Sequence, residues 1–217
     1  MRILLIGPPG VGKGTQAARL QAKTGAVPLA SGDIFRSELR NETELGKLAK
    51  SYMEKGDLVP DDVTIRMMES RLVDPKVAEC GFLLDGFPRT VPQAVALDSL
   101  LEKMGLSLEK VIALDIEDDE VVDRLGGRRT CPNCGEIFHV RTRPPKAEGV
   151  CDKCGTALTI RPDDQPATIR ERLRVFHVNT EPVEAYYQNK GLLRRIDGSA
   201  TPDEVFASIL SELGETA

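Results

Sequence analysis

Short apolar runs alternate along the chain with stretches in which apolar residues recur at helical spacing. The runs are bounded by turn-forming residues, as strands are, and they cover residues 3–6, 82–84, 111–116 and 192–196. The helical spacing covers residues 13–22, 92–101, 118–125 and 167–187. This alternation predicts an α/β fold in which a parallel sheet is flanked by helices.

A further helix is predicted near the carboxyl end of the chain. Thr201 can cap its first turn, Pro202 suits the first helical position, and Glu204 can complete a capping box. We therefore expect the last element to be a helix that packs on the sheet.

Two stretches interrupt the alternation of strands and helices. Residues 30–59 are helix-prone at 33–39 and 44–55 and lack a strand-like run, whereas residues 127–164 are rich in Cys, Pro, Gly and Arg. We interpret these stretches as a first and a second insertion that project from one core. The core would then be formed by residues 1–29, 60–126 and 165–217.

The composition favours a globular protein of the cytoplasm. Hydrophobic residues make up 41% of the 217 residues and charged residues 29%, and no stretch approaches the roughly 18 apolar residues of a membrane helix. The chain passes from Met1 directly into an apolar run, so we expect no removable signal peptide. With a net charge of −5, the whole protein does not attract nucleic acid or acidic membranes, and we expect neither as a partner.

A glycine-rich loop follows the first predicted strand and opens the first predicted helix. Its sequence is GPPGVGKGT, from Gly7 to Thr15. Backbone NH groups, the helix amino terminus and Lys13 can together bind phosphates here. The usual Ser or Thr directly after the Lys is replaced by Gly14, which leaves direct magnesium coordination by Thr15 open. The loop does not complete the spaced G-x-G-x-x-G pattern of dinucleotide-binding folds, so hydride transfer is disfavoured.

An acid and an arginine follow the second predicted strand. Asp85 stands where an acid can hold magnesium through water, and Arg89 can bind a phosphate with two parallel hydrogen bonds. Taken alone, an acid at a strand end is as often a turn or helix cap. Together with the phosphate-binding loop, it becomes a candidate magnesium residue.

Four of the five cysteines form two C-x-x-C pairs in the second insertion, separated by 16 residues. This spacing predicts a closed tetrahedral zinc site whose ligands are Cys131, Cys134, Cys151 and Cys154. Because four thiolates leave no open coordination position, such a zinc would be structural. Zinc knuckles also occur in nucleic-acid-binding modules, but the acidic net charge and the scarcity of aromatic residues in the insertion oppose that alternative. We assign no role to Cys80, His139 or His177.

Through several motifs, the sequence resembles the adenylate kinase family over essentially the whole chain. Within that family it resembles the type that has a long, zinc-bearing lid. The motifs are GPPGVGKGT, SGDIFR from Ser31, DGFPRT from Asp85 with Gln93 soon after, the pair Arg128-Arg129, RPDD from Arg161, and the helix at residues 170–172. DGFPR is shared with uridylate-cytidylate kinases, which remain the nearest alternative. Those relatives usually have a short lid, whereas the second insertion here is long.

The resemblance implies a P-loop nucleoside monophosphate kinase that reversibly transfers a phosphoryl group from Mg-ATP to AMP and gives two ADP. Transfer would be in line, between nucleotides bound under closing lids. The first insertion would bind AMP and the second would be the lid. The expected ligands are ATP, AMP and ADP with magnesium, and the expected oligomeric state is a monomer.

The resemblance also implies site residues. The implied ATP-binding residues are Gly10, Val11, Gly12, Lys13, Gly14, Thr15, Arg128, Ile137, Phe138 and, through its backbone, Ala200. The implied AMP-binding residues are Ser31, Arg36, Asp57, Leu58, Val59, Gly86, Phe87, Pro88, Arg89, Gln93, Arg161 and Arg172. Transfer would be assisted by the cations Lys13, Arg89, Arg124, Arg128, Arg161 and Arg172. Asp163 and Asp164 match an acidic pair that can orient arginines. Many relatives have Thr in place of Ser31, so the hydroxyl is kept and a methyl group is absent.

Overall fold

The structure is a computed structural model in which residues 1–215 are described. Its seven strands are β1 (Arg2–Ile6), β2 (Val27–Ala30), β3 (Phe82–Asp85), β4 (Lys110–Asp115), β5 (Arg128–Thr130), β6 (Ile137–His139) and β7 (Leu193–Asp197). Its ten α-helices are α1 (Lys13–Thr24), α2 (Ser31–Arg40), α3 (Glu44–Met53), α4 (Asp61–Leu72), α5 (Pro75–Cys80), α6 (Val91–Lys103), α7 (Asp118–Gly126), α8 (Pro166–Val175), α9 (Glu181–Asn189) and α10 (Pro202–Leu213). The predicted core segment 165–217 thus ends with two residues that lie outside the described part.

Five strands form one parallel sheet in the order β2-β3-β1-β4-β7. Successive side chains of a strand point to opposite faces, and β1 supplies both faces with apolar residues. Leu4 and Ile6 join the core on one face, and Ile3 and Leu5 join the core on the other. The predicted parallel sheet between helical layers is confirmed.

The two faces of the sheet are covered by different helices. The first core includes buried residues of α4, α6 and α9, whereas the second includes buried residues of α1 and α10. The capping box predicted for α10 is present, since Thr201 accepts a hydrogen bond from the Glu204 amide and Glu204 accepts one from the Thr201 amide.

One strand and two helices were not predicted, and one predicted helical stretch is divided. β2 was not predicted, and Pro28 lies inside it; β2 is an edge strand, where a missing amide donor is tolerated. The helices α4 and α5 were not predicted either, although Met67, Met68 and Leu72 of α4 are fully or nearly fully buried. The stretch with helical spacing over 167–187 is helical, but it is divided into α8 and α9 by a π-helical turn at Phe176–Thr180.

The two proposed insertions have different internal structures. The first contains α2 and α3, and Thr43 caps α3 by accepting a hydrogen bond from the Gly46 amide. The second contains the two-stranded antiparallel sheet of β5 and β6, and Pro162–Asp164 form a short 3-10 turn near its end. Among residues 1–215, no helix combines the length and the apolarity needed to cross a membrane.

Candidate active site

The glycine-rich loop lies between the carboxyl end of β1 and the first turn of α1. Gly10 and Gly12 have φ angles of 83° and 112°, which side-chain-bearing residues rarely adopt. The Lys13 Nζ donates to the carbonyl oxygens of Gly7 and Pro8, at 2.7 and 2.9 Å. The ammonium group is therefore folded back over the loop, and Thr15 lies exposed in the first turn of α1.

Asp85 ends the neighbouring strand β3 and lies beside this loop. It pairs in register with Leu5 of β1, and a Cβ atom placed on Gly14 would lie 3.8 Å from its Oδ2. The glycine-rich loop and Asp85 are far apart in the sequence. The parallel sheet brings them together. This is where a cation bound to phosphates on the loop would meet a carboxylate.

Burial and like charges shift the pKa values of the central groups. Burial lowers the pKa of Lys13 to about 8; Asp85 opposes the shift, whereas Arg89 and Arg172 increase it. Burial also lowers the pKa of Arg89 to about 10, with Arg172 acting in the same direction. The pKa of Asp85 is raised by burial, against the influence of Lys13 and Arg89. Crowded, poorly hydrated cations of this kind favour a ligand with several negative charges.

A pocket opens beside Asp85, between the first insertion and the core. The residues that line it are Ser31, Gly32, Phe35, Arg36, Met53, Gly56, Asp57, Leu58, Val59, Thr64, Gly86, Arg89, Gln93, Asp163 and Arg172. Most of the residues that the sequence assigned to AMP are therefore brought together. Sequence reasoning did not assign Gly32, Phe35, Met53 and Thr64 to this site. Phe35 and Met53 are apolar positions of α2 and α3, and their amphipathic pattern was the one available signal.

The carbonyl of Gly86 organises the phosphate end of this pocket. Ser31 Oγ donates to it at 2.5 Å and Arg89 Nε donates to it at 2.8 Å. A Cβ atom on Gly86 would lie 2.9 Å from Ser31 Oγ and 2.8 Å from the Arg89 guanidinium, so the close approach requires glycine. The hydroxyl of Ser31 is thus used without the methyl group that threonine would add.

The amide of Gln93 also lines the pocket and is buried, with 1% of the residue exposed. Its Oε1 accepts a hydrogen bond from the Arg89 amide at 2.7 Å. Its Nε2 donates to Asp61 Oδ1 at 2.7 Å. One N–H and one lone pair of this amide remain for a ligand.

Two arginines of the predicted set meet at the acidic pair. Arg128 binds Asp164 with two hydrogen bonds of 2.8 and 2.6 Å, and Asp164 is buried. Arg172 reaches Asp164 at 3.2 Å and the Asp163 carboxylate at 3.0 Å. The pKa of Asp163 is lowered because these arginines outweigh the effect of its burial. The two acids therefore hold these arginines by ion pairs.

The side chains of the other two arginines have different hydrogen-bond partners. Arg161 donates to Thr130 Oγ1 at 3.1 Å, and burial followed by Arg128 lowers its pKa to about 10. Arg124 donates to the carbonyl oxygens of Val11 and Ser199, at 3.2 and 3.3 Å. Arg124 thus links the phosphate-binding loop at Val11 to the segment in which Ala200 follows Ser199.

The two apolar residues predicted to meet the ATP base differ in this conformation. The side chain of Phe138 is buried against Cys131 and Cys151, whereas Ile137 is 38% exposed. The structure does not bring Phe138 to the loop, because its ring belongs to the small core of the second insertion.

The four cysteines of the second insertion converge on one point. The Sγ atoms of Cys131 and Cys154 are 3.4 Å apart, and Cys134 Sγ is 3.6 Å from both Cys151 and Cys154. Four sulfurs at about 2.3 Å from a tetrahedral zinc would be roughly 3.8 Å from one another, so the cluster fits this ion.

The two cysteine pairs are built alike. In each, the glycine after the second cysteine donates its amide to the carbonyl of the first, as in Gly135 to Cys131 at 3.0 Å and Gly155 to Cys151 at 2.9 Å. Both glycines have φ near 75°. Such repeated turns are typical of zinc knuckles.

His139 and His177 are occupied elsewhere. His139 Nδ1 accepts hydrogen bonds from the amides of Arg141 and Thr142, both at 3.1 Å. His177 lies between Asp118 and Glu181, at 3.0 and 2.9 Å. Neither belongs to the cysteine cluster, in agreement with the four-thiolate interpretation.

Comparisons with known proteins point to one family. The family model described as adenylate kinase matches residues 5–192. The chain is 54% identical over 215 residues to an adenylate kinase of Streptomyces coelicolor, which covers 98% of each chain. It is 50% identical over 213 residues to an adenylate kinase of Carboxydothermus hydrogenoformans, which covers 98% of this chain and 99% of the relative.

Proposed function

Because the chain belongs to the adenylate kinase family, it catalyses reversible phosphoryl transfer between ATP and AMP to give two ADP, and we propose how its residues perform this reaction. The pocket of the first insertion is the AMP site, and the glycine-rich loop is the ATP phosphate site. The main support for this assignment is that Lys13, Asp85 and Arg89 lie close together where the loop meets the pocket.

The loop binds the phosphates of ATP. We propose that Gly10, Gly12 and Gly14 allow the backbone to curve around them, while Val11 and Thr15 contribute amides and Lys13 turns from its carbonyl partners to the β- and γ-phosphates. A bound polyphosphate would raise the pKa of Lys13 and keep it charged. Magnesium supplied with ATP neutralises phosphate charge, and Asp85 is the residue that would hold it through water.

The acceptor pocket binds AMP at both of its ends. Arg36 and Arg89 would hold the phosphate, supported by Gly86, Phe87 and Pro88. The base would lie against the segment of Asp57, Leu58 and Val59, where Gln93 offers its remaining donor and acceptor. The contacts of Ser31 and Arg89 with the Gly86 carbonyl support this assignment, because they pre-order the phosphate end.

Transfer itself needs position and positive charge rather than a protein nucleophile. An AMP phosphate oxygen attacks the γ-phosphorus in line, and the bond to the β-γ bridging oxygen breaks, so ADP forms on both sides. Arg124, Arg128, Arg161 and Arg172 would stabilise the charge that develops. Since Arg128 and Arg172 are held by Asp163 and Asp164, they are oriented before the nucleotides meet.

The second insertion is proposed as a lid with a structural zinc on Cys131, Cys134, Cys151 and Cys154. The sulfur distances support zinc, and the closed four-thiolate set supports a role in folding rather than in chemistry. When the lid closes, Ile137 and the backbone at Phe138 and Ala200 would approach the ATP base. Reduced thiols are typical of the cytoplasm, and we propose that location and a monomeric state.

Replacement of Lys13 by Met tests the site. Loss of one preorganised cation should lower turnover by about 10²–10³-fold without unfolding the protein. ADP formation from Mg-ATP and AMP is measured by anion-exchange separation, and folding by thermal unfolding. Lys103→Met, at the exposed end of α6, is the matched control and should be unchanged. A folded Lys13→Met protein with near-normal turnover would contradict the assignment.

Parallel reactions with CMP, UMP or GMP in place of AMP test the acceptor. Rapid ADP formation with AMP alone is the expected result. A preference for CMP or UMP would move the acceptor assignment to pyrimidine nucleotides.

A further inference from the structure

We propose that Asp61 is a positioning residue that fixes the orientation of the Gln93 amide and thereby makes the acceptor site prefer adenine to 6-oxopurines. The inference rests on the proposed contact of Gln93 with the AMP base. Asp61 is the first residue of α4, two positions after the pocket residue Val59. It has no assigned role in the transfer reaction.

The hydrogen bonds around Gln93 are compatible with only one orientation of its amide. The Arg89 amide can only donate, so it needs Oε1 opposite it, and the Asp61 carboxylate can only accept, so it needs Nε2. Rotation of the amide by 180° would place oxygen against carboxylate and N–H against N–H. Both hydrogen bonds would be lost at a group that is 1% exposed, where an unsatisfied polar atom is costly.

Asp61 is itself held in place by a second contact. Its Oδ2 accepts a hydrogen bond from Thr90 Oγ1 at 2.9 Å. Thr90 Oγ1 in turn accepts one from the Gln93 backbone amide at 3.2 Å. The three residues form a closed ring of hydrogen bonds between the first turns of α4 and α6, so the carboxylate cannot turn away from Gln93 without breaking it.

The fixed amide matches adenine and not a 6-oxopurine. The Watson–Crick edge of adenine offers a donor at N6 beside an acceptor at N1, which complements one free lone pair and one free N–H. Hypoxanthine and guanine offer an acceptor at O6 beside a donor at N1, which is the reverse order. To bind them with two hydrogen bonds, the amide would have to rotate, and Asp61 together with the Arg89 amide opposes this rotation.

The test compares AMP with IMP as acceptors. IMP differs from AMP in reversing the donor and acceptor at positions 6 and 1, without the added amino group of GMP. In Asp61→Ala, we expect KM for AMP to rise about tenfold with a smaller change in kcat, and the ratio of kcat/KM for AMP to that for IMP to fall at least tenfold. Asp61→Asn keeps an oxygen acceptor and should retain most of the ratio.

Asp62→Ala is the matched control. Asp62 carries the same charge in the same turn of α4, but it pairs with Arg66 on the exposed surface. Its removal should leave the AMP to IMP ratio unchanged. Should Asp61→Ala fail to fold, Asp61→Leu keeps side-chain volume and removes the same acceptor. An unchanged ratio in folded Asp61→Ala or Asp61→Leu, which both lack an oxygen acceptor at this position, would overturn the proposal.

Gln93→Leu separates this inference from the proposed function. If Gln93→Leu collapses the ratio and Asp61→Ala does not, the Gln93 contact with the base stands and the positioning role fails. If Gln93→Leu also keeps the wild-type ratio, the base is not read by Gln93, and the proposed contact between Gln93 and the AMP base fails together with the positioning role.

Discussion

The two proposed insertions reach the same phosphate site but are stabilised in different ways. Phe35 and Ala49 of the first insertion are buried in the main hydrophobic core, together with residues of the sheet and of α6. In the second insertion, the hydrophobic partners of Phe138 are cysteines and Leu158, in a small cluster separate from that core. The first insertion is therefore an extension of the core, whereas the lid is a unit with little hydrophobic stabilisation of its own.

The energetic consequence follows from the number of buried side chains. A fully buried large apolar side chain contributes roughly 1.5–3 kcal/mol. Among the described residues of the lid, 127–164, Phe138 is the one large apolar side chain that is buried. Such a contribution cannot offset the conformational entropy of about 38 residues. In the proposed function, a metal bound by the four cysteines would supply the difference.

Removal of one zinc ligand should have the largest effect on the lid. A structural zinc contributes roughly 10–16 kcal/mol in isolated zinc-finger peptides, so Cys131→Ser should unfold residues 127–164. We expect rapid limited proteolysis within the lid and loss of bound zinc by metal analysis. Cys80→Ser, in α5 and outside the cluster, is the matched control and should keep both. Full protection of the lid in zinc-free Cys131→Ser would contradict the comparison.

The next largest effects are expected when one aromatic side chain in each insertion is replaced by alanine. Phe35→Ala should lower the free energy of global unfolding by about 3–5 kcal/mol, because Phe35 is part of the main core. Phe138→Ala should increase proteolysis of the lid and leave the midpoint of core unfolding nearly unchanged. Denaturant unfolding monitored by circular dichroism measures the first effect. Equal global losses in the two variants would show that the lid is not a separate unit.

Replacement of one acid of the pair Asp163-Asp164, at the base of the lid, should have a somewhat smaller effect on stability. Asp164→Asn removes a buried partner of Arg128 and Arg172, and it should cost at most the roughly 3–5 kcal/mol of a broken buried ion pair, since Asp163 still contacts Arg172. We expect lower kcat and weaker ATP binding, measured by steady-state kinetics and calorimetry.

The control for this variant is a surface ion pair of the same region. Asp123 pairs with Arg141, and more than half of each side chain is exposed. Asp123→Asn should therefore change stability by less than about 1 kcal/mol and leave kcat unaltered. If Asp123→Asn were as damaging as Asp164→Asn, orientation of the arginines by the buried acid would not be the cause.

The smallest effect is expected at His177, which ties the start of α7 to α9. Hydrogen bonds that His177 donates to the carboxylates of Glu181 and Asp118 raise its pKa above 6.5, although partial burial opposes the shift. A raised folded-state pKa contributes stability that is fully present below about pH 6.5 and is lost as pH rises through the folded value. The pair is exposed, so the contribution is below about 1 kcal/mol.

His177→Gln should therefore lower Tm by about 2 °C at pH 5.5 and leave it unchanged at pH 9. Differential scanning calorimetry at the two pH values measures both. A larger loss at pH 9 than at pH 5.5 would show that neutral His177 is the stabilising form.

The sequence predicted the sheet and the phosphate loop well because their signals are local. A strand followed by glycines and Lys13 identifies the loop without knowledge of the rest of the chain. β2 escaped prediction because Pro28 argues against a strand unless its edge position is known. The π-helical turn at Phe176–Thr180 was not predicted either, because its apolar pattern continues the helical spacing of the residues on both sides.

The part of the site that consists of recognisable sequence motifs could be predicted from the sequence. The position of Arg89 after a strand predicted a phosphate contact, resemblance supplied Gln93 and the other arginines, and spacing alone predicted the candidate metal cluster of four cysteines. The hydrogen-bond ring of Asp61, Thr90 and Gln93 depends on how two helices begin side by side, which no local pattern contains. From the sequence, Asp61 is simply an acid in the first turn of a helix.

Hydrogen exchange on the zinc-bound and the chelator-treated protein tests the comparison of the two insertions most directly. Exchange of backbone amides is followed by mass spectrometry on peptides from residues 30–59 and 127–164. We predict that removal of zinc abolishes protection in 127–164 and leaves protection in 30–59 unchanged. Loss of protection in both insertions, or in neither after complete zinc removal, would contradict the account of a metal-folded lid beside a core-packed AMP site.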